Sequence, residues 1–467
     1  MNILALDLGT SSVRGLVLDA DAAPLPGALA RRKVRLSVDD DGAGTLDAAG
    51  YLACLVECVD ELAAAGRLRD VGLVAVSAQW HSMVPLDGAG APLGPVLTWM
   101  DTRPEPPAGA RGPAEPDAFH QRTGAWWHRC YWSVRLPWLR ARAGTPPARF
   151  AGLVEYVLGE LLTAAPMSVS MASGTGLLDL RTLEWDAEAC ELAGSRRGEL
   201  PELAPMDWRG RLRPEHARRW PQLAGADWSA PVGDGAASNV GSGCVNSRRA
   251  AVTVGTSAAV RLVQRLPAGQ ELPPLPEELW RYRVDHQHVV TGAAYSCGGN
   301  LFAWAKRELR LPERAELEAA LARIPPDGGV PTNPRLGGDR PPGLAPAGAG
   351  ELSGLSFANT AVDMLAGLMT GLCRMVADDL VVLESTVDVP VEVVLGGGAM
   401  SASAWWRSAF ATALAPRPVR HRAEPEIGAT GAALVALGRV AEAGRLVDSG
   451  PTAQDTPPAA AGRRPTS

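Results

Sequence analysis

A short pattern near the start of the chain returns in its second half, and this recurrence restricts the fold more than any other feature. Leu4-Ala5-Leu6-Asp7-Leu8 runs into Gly9-Thr10-Ser11, and the apolar run Val13–Leu18 follows. Ala251-Val252-Thr253-Val254 runs into Gly255-Thr256-Ser257, and Ala258–Val263 follows. Thr256 lies 246 residues after Thr10. Each pattern predicts a hairpin of two buried strands with a glycine-hydroxyl tip. Recurrence over the length of a domain points to a duplicated fold, because solenoid repeats are only about 20–50 residues long. The chain has 467 residues, too many for one ordinary core. We therefore expect one domain over 1–245 and a second over 246–445. Residues 446–467 are rich in Pro, Ala and Gly without an apolar pattern, which predicts a disordered tail.

Composition excludes several classes. The formal charge is −6 and the pI about 5.8, with no basic stripe to bind nucleic acid. The chain holds two lysines, Lys33 and Lys306, and neither stands in the Gly-Lys-Ser/Thr context of a P-loop. A nucleotide would have to be held without that lysine. The seven cysteines form no C-x-x-C pair, which argues against zinc or dithiol chemistry. Ile3–Leu6 opens a strand directly, so no secretory leader is read, and no apolar run is long enough to span a bilayer. The expectation is a cytoplasmic protein with no membrane partner, and a homodimer is compatible with it.

Periodicity predicts a helix over 47–64 with Asp47 as N-cap, a helix near 149–163, a long helix over 361–385, and helices over 401–414 and 427–438. Strands are expected at Val71–Ser77, Gly94–Trp99 and Val391–Leu395, the last ending in Gly396-Gly397-Gly398.

Small-residue hairpin tips can aim several backbone N–H groups at one anion. Thr10, Ser11 and Ser12 add hydroxyl donors and Arg14 adds charge; Gly255 and Thr256 form the second tip. Either tip alone reads equally as an ordinary turn. Two equivalent tips, one per half, are suited to grip a polyphosphate from both sides. Asp7 precedes the first tip, where a carboxylate repels an anion unless a cation intervenes; this suggests Mg²⁺, with a turn-capping aspartate as the alternative. Asp234 stands in Gly233-Asp234-Gly235 and is our candidate for the base that accepts a hydroxyl proton; the alternative is a turn residue. Gly397 and Gly398 let a flat ring approach the backbone. Gln79, Trp80, His81, Trp99, Asp101 and Arg103 cluster around two predicted strand ends and resemble a polyol site, with an indole for C–H groups and polar side chains for hydroxyls. Trp126, Trp127, Trp132 and Trp138 read mostly as packing.

These motifs, in this order, resemble the FGGY carbohydrate kinases over about residues 2–438. Asp7–Arg14 looks like the first phosphate motif of that family and Gly255-Thr256-Ser257 like the second. Trp99-Met100-Asp101-Thr102-Arg103 looks like its W-x-D-x-R segment. Arg122-Thr123-Gly124 and Ala172–Gly176 are also similar. Gly233-Asp234-Gly235 matches the catalytic-aspartate segment, Gly338-Asp339-Arg340-Pro341 its G-E-R-x-P segment, and Gly396-Gly397-Gly398 its adenosine segment. The resemblance implies an α/β fold of two actin-like (ribonuclease H-like) domains with a cleft between them, and ATP and Mg²⁺ as cofactors. By it Asp234 is the base, His81 and Asp101 contact substrate, and Thr10, Thr256, Gly299, Gly397 and Gly398 contact nucleotide.

Trp80-His81-Ser82-Met83 and Gly255–Arg261 are most similar to the gluconate-kinase branch, as are Thr291–Ala294, Gly298-Gly299-Asn300 and Trp304. The implied activity is phosphorylation of a terminal hydroxyl of a sugar or sugar acid, with gluconate favoured. A xylulose-like or polyol kinase, a non-catalytic sugar or nucleotide sensor, and an actin-like ATPase remain open. Three departures stand out: Asp339 replaces Glu, Arg135 replaces a customary lysine, and Ala125–Tyr131 lacks the usual proline. A carboxylate substrate would need a cation, for which Arg103, His128 and Arg129 are candidates.

Overall fold

In a computed structural model, the residues described are 1–445 apart from 40, 143, 197, 339–347, 388, 424 and 425. The expected tail at 446–467 and the G-E-R-like Asp339–Pro341 lie outside them.

The duplication predicted from the two tips is present as two sheets with one topology. In the first, Asn2–Leu8 pairs antiparallel with Ser12–Leu18, which pairs antiparallel with Pro24–Lys33. On its other side Asn2–Leu8 pairs parallel with Val71–Ala78. In the second, Arg249–Val254 pairs antiparallel with Ala258–Arg265, which pairs antiparallel with His288–Tyr295. On its other side Arg249–Val254 pairs parallel with Glu392–Gly396. The first strand of each hairpin is thus central and buried, which explains why both read as near-continuous apolar runs.

Helices cover the sheets. Asp47 caps Ala48–Ala64 by accepting from the Gly50 amide, and Tyr51, Leu55, Cys58 and Leu62 form its buried stripe. Ala361–Glu384 is closed at its start by a capping box of Thr360 and Asp363. Three expectations shift. Arg149–Ala151 is a strand paired with Val84–Leu86, and helix begins only at Leu153, after Gly152. The Gly94–Trp99 strand shortens to Val96–Leu97. The 401–414 helix is two helices, Gly398–Ala402 and Ala404–Ala413, because the Ser403 hydroxyl caps the second by accepting from the Trp406 amide.

The two halves are joined by crossed helices. Ile427–Ala436 follows the second sheet in sequence, yet its Ala429, Ala432, Ala433 and Leu434 share a buried core with Leu4, Val76 and Val240 of the first half. It lies on Asp234–Gly241 at backbone contact. A β-carbon at Gly431 would sit 1.8 Å from the Ala237 carbonyl oxygen, and one at Gly241 would sit 1.9 Å from the Ile427 carbonyl oxygen. The edge strand Trp280–Arg283 of the second sheet also joins the first core through Trp280 and Tyr282.

Candidate active site

Strand register decides what stands at the first tip. Asp7 is opposite Arg14 on one side and Ser77 on the other, and Ser77 is opposite Val232. Asp7 and the start of helix Asp234–Gly241 therefore lie at the same end of one ladder. The Asp7 carboxylate accepts from the Ser77 hydroxyl at 2.6 Å and lies 3.7 Å from the Arg14 guanidinium. Burial holds its pKa above the ordinary aspartate value, against the pull of Ser77 and Arg14. In the second hairpin the equivalent position is Thr253, so only the first tip carries a carboxylate.

Thr10 sits in a relay. The Trp99 indole N–H donates to its Oγ1 at 3.0 Å, and that hydroxyl donates to Gln79 Oε1 at 2.9 Å. Gly9 N–H closes the tip on the Ser12 carbonyl at 3.1 Å. Ser11 is exposed at the apex, Ser12 is buried, and Arg14 donates to the Ser12 hydroxyl at 3.3 Å. Arg14 also pairs at 2.8 Å with Glu426, the residue that opens the crossing helix Ile427–Ala436.

The second tip collects the other glycine segments. The Gly299 amide donates to the Gly255 carbonyl at 2.7 Å, and the Asn300 amide donates to the Thr256 carbonyl at 3.1 Å. Helix Gly299–Glu308 thus starts on the tip itself. Gly397 adopts φ +96°, where a β-carbon would also strike the Val254 carbonyl oxygen at 2.4 Å, so a glycine is required there. Helix Gly398–Ala402 begins one residue later, and its Ala399 approaches Gly299. Gly255, Thr256, Gly299, Gly397 and Gly398 therefore occupy one locus at the end of the second sheet.

Asp234 is the first residue of its helix, just after Val232–Gly233 joins the ladder, and its Oδ1 accepts from the Gly235 amide at 2.7 Å. Tyr51 stands under the first tip. Its hydroxyl donates to the Gly9 carbonyl at 2.9 Å, and its pKa is driven well above 10, first by burial, then by the Asp7 charge and also by that of Asp234.

The expected substrate group divides. Gln79, Trp80, His81 and Trp99 lie together beside the first tip. Trp80 is 6% exposed, donates its indole N–H to the Ser170 carbonyl at 2.9 Å, and packs edge-on against Trp280 and Tyr282. His81 donates from Nδ1 to the Gly174 carbonyl at 2.6 Å. Asp101 is engaged internally: it accepts from Arg103 Nη2 at 2.6 Å and Nε at 3.1 Å, and from the Gly44 amide at 3.3 Å. Arg135, fully buried, donates to the carbonyls of His81, Thr98 and Arg129 at 2.7, 2.8 and 2.9 Å and ties these loops together. The segment Ala125–Tyr131 faces the edge strand of the second sheet, where the Tyr131 and Tyr282 hydroxyls are 2.6 Å apart. Of the three candidate cations, Arg103 is neutralised by Asp101, and Arg129 donates to the Thr102 carbonyl at 2.6 Å. His128 is uncharged at neutral pH, because burial lowers its pKa to about 4.

Sequence reading missed Tyr51, Ser77, Glu426 and Arg261. Tyr51, Ser77 and Glu426 stand in no motif, and Arg261 ends the Gly255–Arg261 segment without a role having been read for it; strand register or interdomain packing brings each beside the candidate site. Among the described residues, no three His, Cys, Asp or Glu side chains converge as a metal cage, and no helix is long and apolar enough to cross a membrane.

Comparison with known proteins agrees with this architecture. The model for the N-terminal domain of the FGGY family of carbohydrate kinases matches residues 2–241, and that for the C-terminal domain matches 250–438. A gluconokinase of Bacillus subtilis is 26% identical over 361 residues, covering 72% of this chain and 68% of that protein. A ligand-bound xylulose kinase structure from Lactobacillus acidophilus superposes with TM-score 0.82 at 22% identity, covering 95% of this chain and 91% of that one. A gluconate kinase structure from the same organism superposes with TM-score 0.81 at 22% identity and the same coverage. With two actin-like domains and both family models matched in order, the chain belongs to the FGGY family of carbohydrate kinases, on its gluconate kinase-like side.

Proposed function

We propose that this carbohydrate kinase transfers the γ-phosphoryl group of ATP to a terminal hydroxyl of a sugar or sugar acid, with gluconate favoured. The observation that supports this reading is the strand register, which brings Asp7, the first hairpin tip and the start of helix Asp234–Gly241 to the same end of one ladder. It supports reading Asp234 as a base at a helix start beside a hydroxyl-tipped hairpin, with the second tip contributed by the other half. In this reading Asp234 accepts the proton of the attacking hydroxyl and orients it, while Thr10, Ser11, Ser12, Arg14 and Thr256 surround the phosphates. The glycines at 255, 299, 397 and 398 receive the adenosine, and Gln79, Trp80, His81, Asp101 and Arg103 form or brace the sugar side. Residues 1–245 then supply the substrate wall and 246–445 the nucleotide wall.

Mg²⁺ fits the donor set: it binds through one or two carboxylates, keeping waters and phosphate oxygens as its other ligands, and Asp7 is one such carboxylate beside the tip. When bound, it would neutralise charge on the transferring phosphoryl group. Asp7 would hold it, and the Ser77 hydroxyl would fix the carboxylate.

The test is Asp234→Asn. We expect kcat for sugar-dependent ADP release to fall by about 10²–10⁴-fold, with the ATP-induced rise in melting temperature retained. A variant that keeps the full rate would remove Asp234 as the base.

A further inference from the structure

Arg261 is a cation without a visible counterpart. Its Nε and Nη1 are shielded from solvent and have no hydrogen-bond partner. Burial lowers its pKa, opposed only by the charge of Asp234. A guanidinium in this condition is unfavourable unless something else completes it.

Its place is well defined. Val260 and Leu262, its neighbours on strand Ala258–Arg265, point into the core of the second domain, whereas Val263 belongs to the core shared with the first. Alternation along the strand puts Arg261 on the Val263 side, toward the first domain. Two glycines leave room for it. A β-carbon at Gly292, opposite Arg261 in the sheet, would lie 3.1 Å from Arg261 Cγ. One at Gly235 would lie 3.1 Å from Arg261 Nε and 2.7 Å from Trp80 Cζ3. The guanidinium and the Trp80 indole therefore flank the same glycine, one residue after the proposed base.

We infer that Arg261 is a specificity-determining residue that receives the carboxylate of an acidic sugar, so that this kinase selects aldonates over neutral polyols of the same length. This rests on the kinase reading above. A planar guanidinium matches a carboxylate by charge and by its fork of donors. The charge balance is compatible with an acid: Arg103 is held by Asp101, Arg129 donates to the Thr102 carbonyl, His128 is uncharged, and Arg261 is a cation beside Gly235. Bound at one end by Arg261, a gluconate would place its hydroxyl chain along the Trp80–His81 side, with Asp234 near the hydroxyl to be phosphorylated.

The test compares gluconate with glucitol, which has the same carbon skeleton without the carboxylate, in Mg²⁺-ATP turnover by the full-length enzyme and by Arg261→Met, Arg261→Gln and Arg261→Lys. We expect Arg261→Met to lower the gluconate-to-glucitol ratio of kcat/KM by about 30-fold or more, mainly through KM for gluconate, with Arg261→Lys intermediate. KM for ATP should move by less than about threefold, because the proposed contact is to the sugar acid alone. Gluconate should raise the melting temperature of the parent enzyme and not that of Arg261→Met. An unchanged gluconate-to-glucitol ratio would overturn the inference and leave the kinase reading standing. So would a wild-type enzyme that prefers glucitol, or a loss expressed in KM for ATP. Absence of ADP release with any sugar would instead sink the kinase reading, and this inference with it.

Discussion

At the scale of single residues, the site is written partly in motifs and partly in register. Of the residues proposed for the site, Thr10, Asp234 and Gly397 can be picked out from the sequence because turn chemistry ties them to local sequence. Tyr51 and Arg261 are not: Tyr51 lies inside an ordinary amphipathic helix pattern and Arg261 ends a segment read only for its family likeness, and only the fold brings the Tyr51 hydroxyl to the Gly9 carbonyl and the Arg261 side chain beside Gly235. Burial alone can also load a residue outside the proposed chemistry. Glu155, in the first turn of helix Leu153–Leu161, lines a cavity of about 770 Å³ on the first domain, and burial raises its pKa to about 8. The unfolded chain releases this proton near the ordinary glutamate value of 4.5, whereas the folded chain holds it until about 8. Stability therefore falls as pH rises through that window, at up to about 1.4 kcal/mol per pH unit. Glu155→Gln should remove this slope. Melting temperatures at pH 5 and pH 8 should show the variant gaining on the parent at the higher pH; parallel curves would show that the carboxyl is ionised in the fold.

At the scale of elements, the crossed helices Asp234–Gly241 and Ile427–Ala436 carry the geometry. Each begins at the cleft with an acidic residue, Asp234 or Glu426, and each uses small residues where their backbones meet. The sequence predicts the second of these helices but not its crossing over Asp234–Gly241, because Gly241 and Gly431 carry no periodic apolar signal; each leaves room where another backbone passes. A leucine at 431 has no space, so we expect Gly431→Leu to destabilise the protein by about 2–4 kcal/mol and to lower kcat, since the helix bearing Asp234 must shift. Thermal unfolding and turnover measured on one preparation check this. Unchanged melting would show that the helices are not packed at this distance. The edge strand Trp280–Arg283 teaches the same lesson: a four-residue strand after a proline-rich stretch gave no pattern to read, yet its aromatic pair brings the second sheet onto Trp80.

At the scale of the molecule, duplication was the most legible feature, since a repeated strand–tip–strand unit can build only a repeated sheet order. What duplication could not reveal is where the halves differ. Asp7 has Thr253 as its counterpart, so one tip is suited to a cation and the other to backbone contacts alone. Arg261 likewise stands opposite Gly292 with no strand neighbour to balance it. Under the proposed function, closing the two halves on each other would exclude water from the transfer.

The most direct measurement is Mg²⁺-dependent ADP release by the purified full-length protein across gluconate, other aldonates, xylulose, glycerol and glucitol. The account predicts sugar-dependent release with the highest kcat/KM on an aldonate, and a product carrying phosphate on its terminal oxygen. Release that no sugar or polyol stimulates, together with ligand-induced stabilisation without phosphate transfer, would contradict it and leave a sugar-binding relative of the same fold.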